Sequence, residues 1–231
     1  MITIKNLTKK YNNFTALNSL NLQINEGEIF CLLGANGAGK TTTINILLGF
    51  VSPTSGTASI NNLEVTEHTS DIKKYVAYIP EMVSLYPNLS GIENLNFFAS
   101  LAGFNLPKEE LAQLLSKAGL QENAHNKPLS GYSKGMRQKV GIAIALAKKA
   151  KVLLLDEPIS GLDPKAANEF SEILKELSEN GTTILMATHD IFRAKEIAHR
   201  IGIMKEGNLV SQLEAHKIST NQLEQLYFTT V

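Results

Sequence analysis

Short apolar runs alternate along this chain with longer segments of helical spacing. Apolar and polar residues alternate over 2–4, 20–24 and 57–60, and a continuous apolar run occupies 29–33. Alternation predicts strands with one exposed face, whereas a continuous run predicts a strand that is buried on both faces. Three further strand-like runs lie at 75–79, 152–155 and 183–186. Strands that alternate with helices predict a parallel sheet covered on both faces.

The middle of the chain has a different pattern. Residues 88–147 are mostly helical in spacing, as in the recurrence of Leu111, Leu114 and Leu115. Strand patterns resume after this segment. We therefore predict an α/β fold with a mostly parallel sheet and an inserted α-helical subdomain. The single predicted domain covers 1–231, with its core at 1–84 and 148–231 and the helical subdomain at about 85–147.

Composition excludes several classes of protein. Lys+Arg and Asp+Glu both total 22, and this neutral balance argues against a dedicated nucleic-acid binder. The single cysteine, Cys31, forbids an internal disulfide and fits a reducing compartment. The sequence has no apolar run long enough to span a membrane and no signal-peptide pattern, so we expect a cytoplasmic protein.

A glycine-rich segment carries the clearest chemistry. Residues 34–41 fit the pattern G-x-x-x-x-G-K-[ST] between a predicted strand and a predicted helix. In this context the backbone N–H groups and the helix N-terminus bind phosphate, Lys40 reaches the β- and γ-phosphates, and Thr41 binds Mg²⁺. An ordinary glycine-rich turn is the alternative. The predicted nucleotide-binding residues here are Gly34, Ala35, Asn36, Gly37, Ala38, Gly39, Lys40, Thr41 and Thr42.

Two carboxylates follow the apolar run at 152–155. Asp156 is predicted to bind Mg²⁺, and Glu157 to polarise the water that attacks the γ-phosphate. The alternative is a solvated strand end, which the tight turn marked by Pro158 and Gly161 disfavours.

Further segments resemble motifs of the ATP-binding cassette (ABC) ATPases. Residues 132–136 (YSKGM) resemble the signature motif and 160–163 (SGLD) the D-loop. His189 is similar to the switch histidine, Tyr11 to the aromatic residue that stacks on adenine, and Glu81 falls at the Q-loop position. The order and spacing of these motifs cover essentially the whole chain.

This resemblance implies roles for those residues. The family works as a head-to-tail dimer in which Ser133 and Gly135 of one subunit contact the γ-phosphate held by the other. The implied catalytic residues are Glu157 and His189. The implied ATP contacts outside the glycine-rich loop are Tyr11, Ser133, Gly135 and Asp163. The implied Mg²⁺ ligands are Thr41, Glu81 and Asp156.

Simpler interpretations exist for four of these positions. Ser133 and Asp163 have the chemistry of helix N-caps, with or without a nucleotide. Tyr11 is alternatively a surface aromatic residue, and His189 an ordinary histidine at a strand end. The signature motif has an alternative register starting at residue 129, but the register starting at Tyr132 places the following helix at the expected offset.

Three departures from the common family pattern restrict the resemblance to one group within the family. Glu81 replaces a common Gln, Lys134 a common Gly and Met136 a common Gln, as in ATPase subunits of ABC-2 type exporters. The resemblance implies an ATPase on the cytoplasmic face of the membrane that powers a separate polytopic permease, with no nucleic-acid partner. The alternative is a soluble cassette that acts on ribosomes or DNA. The cargo, the permease and the choice between homodimer and heterodimer stay open.

The apolar residues after Glu81 and the remaining histidines carry two further predictions. The apolar residues that follow Glu81 are interpreted either as a contact surface for the permease or as part of the helical core; they are Val83, Leu85, Tyr86 and Leu89. The histidines other than His189 lack metal-ligand spacing and are predicted to lie on the surface; they are His68, His125, His199 and His216.

Overall fold

The computed structural model describes residues 1–230, which form two β-sheets and a set of covering helices. The strands are β1 (Ile2–Tyr11), β2 (Phe14–Ile24), β3 (Ile29–Leu33), β4 (Ser55–Ile60), β5 (Leu63–Glu64), β6 (Val76–Ile79), β7 (Val152–Asp156), β8 (Thr183–Thr188), β9 (Arg200–Lys205) and β10 (Asn208–Glu214). The α-helices are α1 (Lys40–Leu47), α2 (Thr69–Ile72), α3 (Gly91–Leu101), α4 (Lys108–Lys117), α5 (Lys134–Ala147), α6 (Pro164–Glu179), α7 (Ile191–Ile197) and α8 (Thr220–Thr230).

The larger sheet has the strand order β10-β9-β3-β8-β7-β6 and is parallel except for the antiparallel edge strand β10. Every residue of its strands β3, β7 and β8 is buried, as the continuous apolar runs predict. Because β3 and β7 are parallel, the segments that follow them emerge at the same edge of the sheet. This edge is where parallel α/β sheets place their ligands.

The second sheet is antiparallel, with the strand order β2-β1-β4-β5. The alternating runs at 2–4, 20–24 and 57–60 belong to this sheet rather than to the parallel one. Half-exposed antiparallel strands have this alternation, because one face meets the core and the other meets solvent. An apolar core that includes Ile4, Phe30 and Leu154 fills the space between the two sheets and α1.

Helices α3, α4 and α5 lie in the chain between β6 and β7 and pack against one another. They share a second apolar core with the other face of the parallel sheet, through residues such as Leu95, Leu115 and Val140. Among residues 1–230, none of the helices combines the length and apolar character that a bilayer crossing requires. The predicted division into a core and a helical subdomain stays a prediction.

Candidate active site

The glycine-rich segment forms a tight loop between β3 and α1. Gly37 and Gly39 have φ angles of 83° and 104°, which a residue with a side chain rarely adopts. A Cβ atom on Gly39 would lie 2.6 Å from the carbonyl oxygen of Ala16 in the β1–β2 hairpin. Glycine at position 39 is therefore required both by the backbone angle and by the close approach of the hairpin.

Lys40 lies at the centre of this loop and is only 5% exposed. Its Nζ donates hydrogen bonds to the carbonyl oxygens of Gly34 at 2.6 Å and Ala35 at 3.2 Å. The same ammonium is 3.5 Å from Oε1 of Glu157. The loop thus holds a buried positive charge directly beside the acidic end of β7.

Asp156 is buried at the end of β7, and its Oδ1 accepts a hydrogen bond from the Thr41 hydroxyl at 3.2 Å. Burial raises the pKa of Asp156 above its ordinary value; the Thr41 hydrogen bond and the charge of Lys40 act in the opposite direction. The charges of Glu157 and Glu81 raise this pKa further. A carboxyl group kept in such surroundings is typical of a functional site.

The side chains of Thr41 and Asp156 suit a Mg²⁺ ion that is bound together with a nucleotide. Among residues 1–230, no cluster of three or more His, Cys, Asp or Glu side chains forms a metal centre from protein ligands alone. Mg²⁺ does not require one, because it keeps several waters and is completed by phosphate oxygens. The adjacent hydroxyl of Thr41 and carboxylate of Asp156 supply the oxygen donors that this ion prefers.

The two carboxylate oxygens of Glu157 differ in their contacts. Its backbone is in the left-handed region (φ 49°), and its N–H donates to the carbonyl of Ala187 at 2.9 Å. Oε2 lies 2.9 Å from Nδ1 of His189, whereas Oε1 is buried and has no hydrogen-bond partner among the described residues. A buried carboxylate oxygen that accepts no hydrogen bond within residues 1–230, 3.5 Å from the Lys40 ammonium and beside a phosphate-binding loop, can accept a proton from water.

A cavity of 350 Å³ lies over the loop. Its walls are formed by the loop from Ala35 to Thr42, by Glu81, Asp156 and Glu157, and by Phe14 and Ala16. Tyr11 is 43% exposed and is not among these lining residues; it pairs with Phe14 across the β1–β2 turn. Phe14 was not among the predicted contacts, although an aromatic residue three positions after Tyr11 in the same turn was a usable signal.

Ser133, Gly135 and Asp163 lie elsewhere, around a second cavity of 410 Å³. Ser133 is the N-cap of α5, and its Oγ accepts a hydrogen bond from the N–H of Met136 at 3.2 Å. Asp163 is the N-cap of α6 and accepts from the N–H groups of Lys165 and Ala166 at 3.1 and 3.0 Å. Within residues 1–230, these three residues are therefore not brought to the loop that carries Lys40.

The register of the signature segment follows from these caps. Helix α5 begins at Lys134, directly after Ser133, whereas 129–131 form a separate 3₁₀ turn. The register that starts at Tyr132 therefore places its serine at a helix N-terminus, and the register that starts at residue 129 does not.

A phosphate-binding loop between a buried parallel strand and a helix, beside an acidic strand end, defines the protein as a P-loop NTPase. The family described as ABC transporter matches residues 17–160, more than half of the chain. The chain therefore belongs to the ABC transporter family, and it is an ATP-hydrolysing, nucleotide-binding subunit of that family.

Two relatives show the extent of the similarity. The bacitracin transport ATP-binding protein of Enterococcus faecalis is 40% identical over 221 residues, which cover 94% of this chain and 71% of the relative. The lantibiotic transport ATP-binding protein of Streptococcus pyogenes is 37% identical over 227 residues, which cover 98% of this chain and 96% of the relative.

Two solved structures are similar to this chain over nearly their whole lengths. One is a dimeric ATP-binding cassette in a post-hydrolysis state bound to ADP and Pi (TM-score 0.83, 29% identity, 93% of this chain and 99% of that chain). The other is the ATP binding subunit of an ABC transporter (TM-score 0.86, 30% identity, 99% of this chain and 98% of that chain). The predicted family, fold class and ATPase activity are confirmed, and the alternative of a ribosome- or DNA-directed cassette is not favoured.

Proposed function

We propose that this chain powers an exporter by closing as a dimer around two ATP molecules. The observation that carries the proposal is the separation of the predicted ATP contacts into two cavities, one with Lys40 and one with Ser133. Each chain then offers two half-sites. Two chains placed head to tail complete both sites at once, and because both half-sites are present, a homodimer is sufficient.

The half-site that contains Lys40 carries the phosphate, metal and water chemistry. The loop N–H groups and Lys40 bind the phosphates, and Tyr11, paired with Phe14 of the cavity wall, stacks on adenine. Thr41, Asp156 and Glu81 hold Mg²⁺, which when bound neutralises charge on the phosphate oxygens. Glu157 accepts a proton from the attacking water, while His189 holds the other oxygen of its carboxylate and contacts the γ-phosphate.

An exposed aromatic cluster supports docking to a membrane permease. Tyr86 lies 4.9 Å from Phe97 between ring centroids, and Phe97 lies 5.3 Å from Phe98. Tyr86 is 48% exposed, and Met82 and Leu101 are further exposed apolar side chains in the same part of the chain. Val83 and Leu85, in contrast, pack against the core. A permease bound to this surface would keep the chain on the cytoplasmic face of the cell membrane.

The relatives suggest the class of cargo. Two of them are named for transport of bacitracin or a lantibiotic, and this chain is 37–40% identical to them. We therefore propose peptide antibiotics as the class of cargo, and we propose outward transport on the basis of the exporter-like residues Glu81, Lys134 and Met136.

The experiment is a purification of tagged Glu157→Gln protein from detergent-solubilised native membranes with ATP and MgCl₂. This variant is expected to lose turnover and keep ATP binding, so that the closed dimer retains its permease. A polytopic membrane protein in the eluate is the expected result. The double variant Glu157→Gln/Tyr86→Asp should bind ATP equally well and lose that protein. Recovery of ribosomal subunits or DNA-repair proteins without a membrane protein would contradict the proposal.

A further inference from the structure

Helix α5 holds the segment that follows β6 at two points. The fully buried Gln138 donates from Nε2 to the carbonyl oxygens of Pro80 and Glu81, at 3.2 and 3.0 Å. Lys134 lies one turn earlier on the same face of the helix, and its Nζ is 3.4 Å from Oε1 of Glu81. The helix therefore holds the backbone of this segment and places a positive charge beside the Glu81 carboxylate, which is 55% exposed.

Carboxylates outnumber positive side chains around the nucleotide cavity, so the carboxylate of Glu81 needs a counter-ion. The charged side chains among its described lining residues are Lys40 and three carboxylates, those of Glu81, Asp156 and Glu157. Lys40 contacts Glu157, and Asp156 accepts from Thr41. Glu81 is thus left to Lys134, whose ammonium lies outside the lining of this cavity.

We propose that Lys134 is a positioning residue, which neutralises the Glu81 carboxylate at the wall of the ATP cavity as long as no cation is bound there. The inference rests on the proposed nucleotide site. The hydrogen bonds from Gln138 still hold the backbone of Glu81 when Lys134 is removed. The carboxylate therefore stays at the cavity wall, and its negative charge toward the ligand is no longer compensated. ATP without its cation carries several negative charges, and an uncompensated carboxylate nearby weakens its binding.

The test is a double-mutant cycle on ATP affinity. The variants are Lys134→Met, Glu81→Gln and their combination, and affinity is measured with a fluorescent ATP analogue in EDTA and again in MgCl₂. Lys134→Met is expected to weaken binding in EDTA by about twofold to fivefold, the range for a partly exposed ion pair. In the Glu81→Gln background the same substitution should have no effect. In MgCl₂ the loss should shrink, because the cation neutralises the carboxylate and the phosphates together.

Lys175→Met is the matched control. Lys175 forms an ion pair of 2.8 Å with Glu172 and is 34% exposed, close to the 31% of Lys134, but it lies in α6 outside both cavities. Its substitution should leave ATP affinity unchanged. Urea unfolding of every variant, in the full chain, establishes that each one is folded.

Two outcomes would overturn the inference while leaving the proposed function intact. An equal loss in the wild-type background and in the Glu81→Gln background would mean that Lys134 acts on the nucleotide directly. No loss in either background would mean that the ion pair has no influence on the site. Failure of the wild-type protein to bind the analogue would instead overturn the proposed nucleotide site, and this inference with it.

Discussion

Asp156, the proposed Mg²⁺ ligand, illustrates how a buried carboxylate can be unfavourable for stability. The carboxylate is 9% exposed, and burial raises its pKa. The hydrogen bond from Thr41 and the charge of Lys40 compensate only in part, since the pKa stays above its ordinary value. The folded protein therefore holds this carboxylate at an energetic disadvantage that a bound cation would remove.

We predict that Asp156→Asn stabilises the protein and removes Mg²⁺-dependent activity. An acid whose pKa is raised on folding binds its proton more tightly in the folded state, so its contribution to stability falls as pH rises above the ordinary value of 3.8. The substituted amide keeps an oxygen that can accept from Thr41 and carries no charge. Urea unfolding at pH 7 should therefore give a higher midpoint for the variant, and ATP hydrolysis should fall by at least about 100-fold.

Comparison of the two unfolding curves across pH provides the check on the cause. The advantage of Asp156→Asn should diminish toward pH 4, where the wild-type carboxyl group becomes protonated. A variant that is less stable than the wild type at pH 7 would show that Asp156 is well compensated in the folded protein.

Residues that belong to a local motif were predictable, and residues placed by tertiary packing were not. The loop from Gly34 to Thr42 could be predicted because the spacing of its glycines, lysine and threonine determines the conformation of the loop. Gln138, in contrast, reaches Pro80 and Glu81 through the packing of α5, which no local pattern encodes. The surface prediction for His125 was wrong: the ring is buried, and its Nε2 lies 3.0 Å from the carbonyl oxygen of Leu120.

At the scale of single elements, α3 begins with a reciprocal cap. The Ser90 hydroxyl accepts from the N–H of Glu93 at 3.3 Å, and the Glu93 carboxylate accepts from the N–H of Ser90 at 2.8 Å. This capping box satisfies donors that the first turn of a helix otherwise leaves unpaired. It also fixes the start of the helix that carries Phe97 and Phe98 of the aromatic cluster.

Ser90→Ala is predicted to lower the free energy of unfolding by about 1 kcal/mol, the usual loss for an N-cap. Ser100→Ala, on the exposed side of the same helix, is the control and should be neutral or slightly stabilising. The hydrogen bonds from Ser90 lower the pKa of Glu93, so this stabilisation is present above the ordinary value of 4.5 and is lost as pH falls. Urea unfolding at pH 7 and pH 4 measures both effects; equal losses at Ser90 and Ser100 would contradict the role of the cap.

Element types were easier to predict than element partners. The continuous runs at 29–33 and 152–155 are buried parallel strands, as expected, because only strands covered on both faces lack polar positions. The antiparallel sheet was not predicted, since alternation along β1 and β4 does not identify which strand pairs with which. Pairing is decided by turns and by long-range packing, as in the β1–β2 hairpin.

At the scale of the whole molecule, the separation of the two cavities leads to a test of the proposed dimer. A chain with Lys40→Ala lacks one half-site, and a chain with Ser133→Arg lacks the other. Either homodimer then has two defective sites. A mixed dimer has one site with both defects and one site that is entirely wild type.

Mixing the two inactive variants is therefore predicted to restore ATP hydrolysis. Random pairing gives at most about a quarter of the wild-type rate, since half of the dimers are mixed and each has one intact site. The rate is measured after co-refolding or co-expression, with each variant alone as the control. No recovery, from variants that are shown to be folded and to mix, would contradict sites shared between chains.

The phosphate-binding loop is also tied to parts of the chain that are synthesised much later. Its strand β3 pairs with β8 and β9, and the N–H of Gly34 donates to the carbonyl of Thr188 at 3.2 Å. Gly207 donates to the carbonyl of Ala38 at 3.0 Å and accepts from the N–H of Asn18 at 2.9 Å. On the ribosome, a nascent chain that already contains the entire glycine-rich motif still lacks the strands that shape it. ATP in the cell can therefore stabilise the loop only after translation has passed Gly207, and before β8 is made the apolar strand β3 lacks both of its neighbours in the sheet.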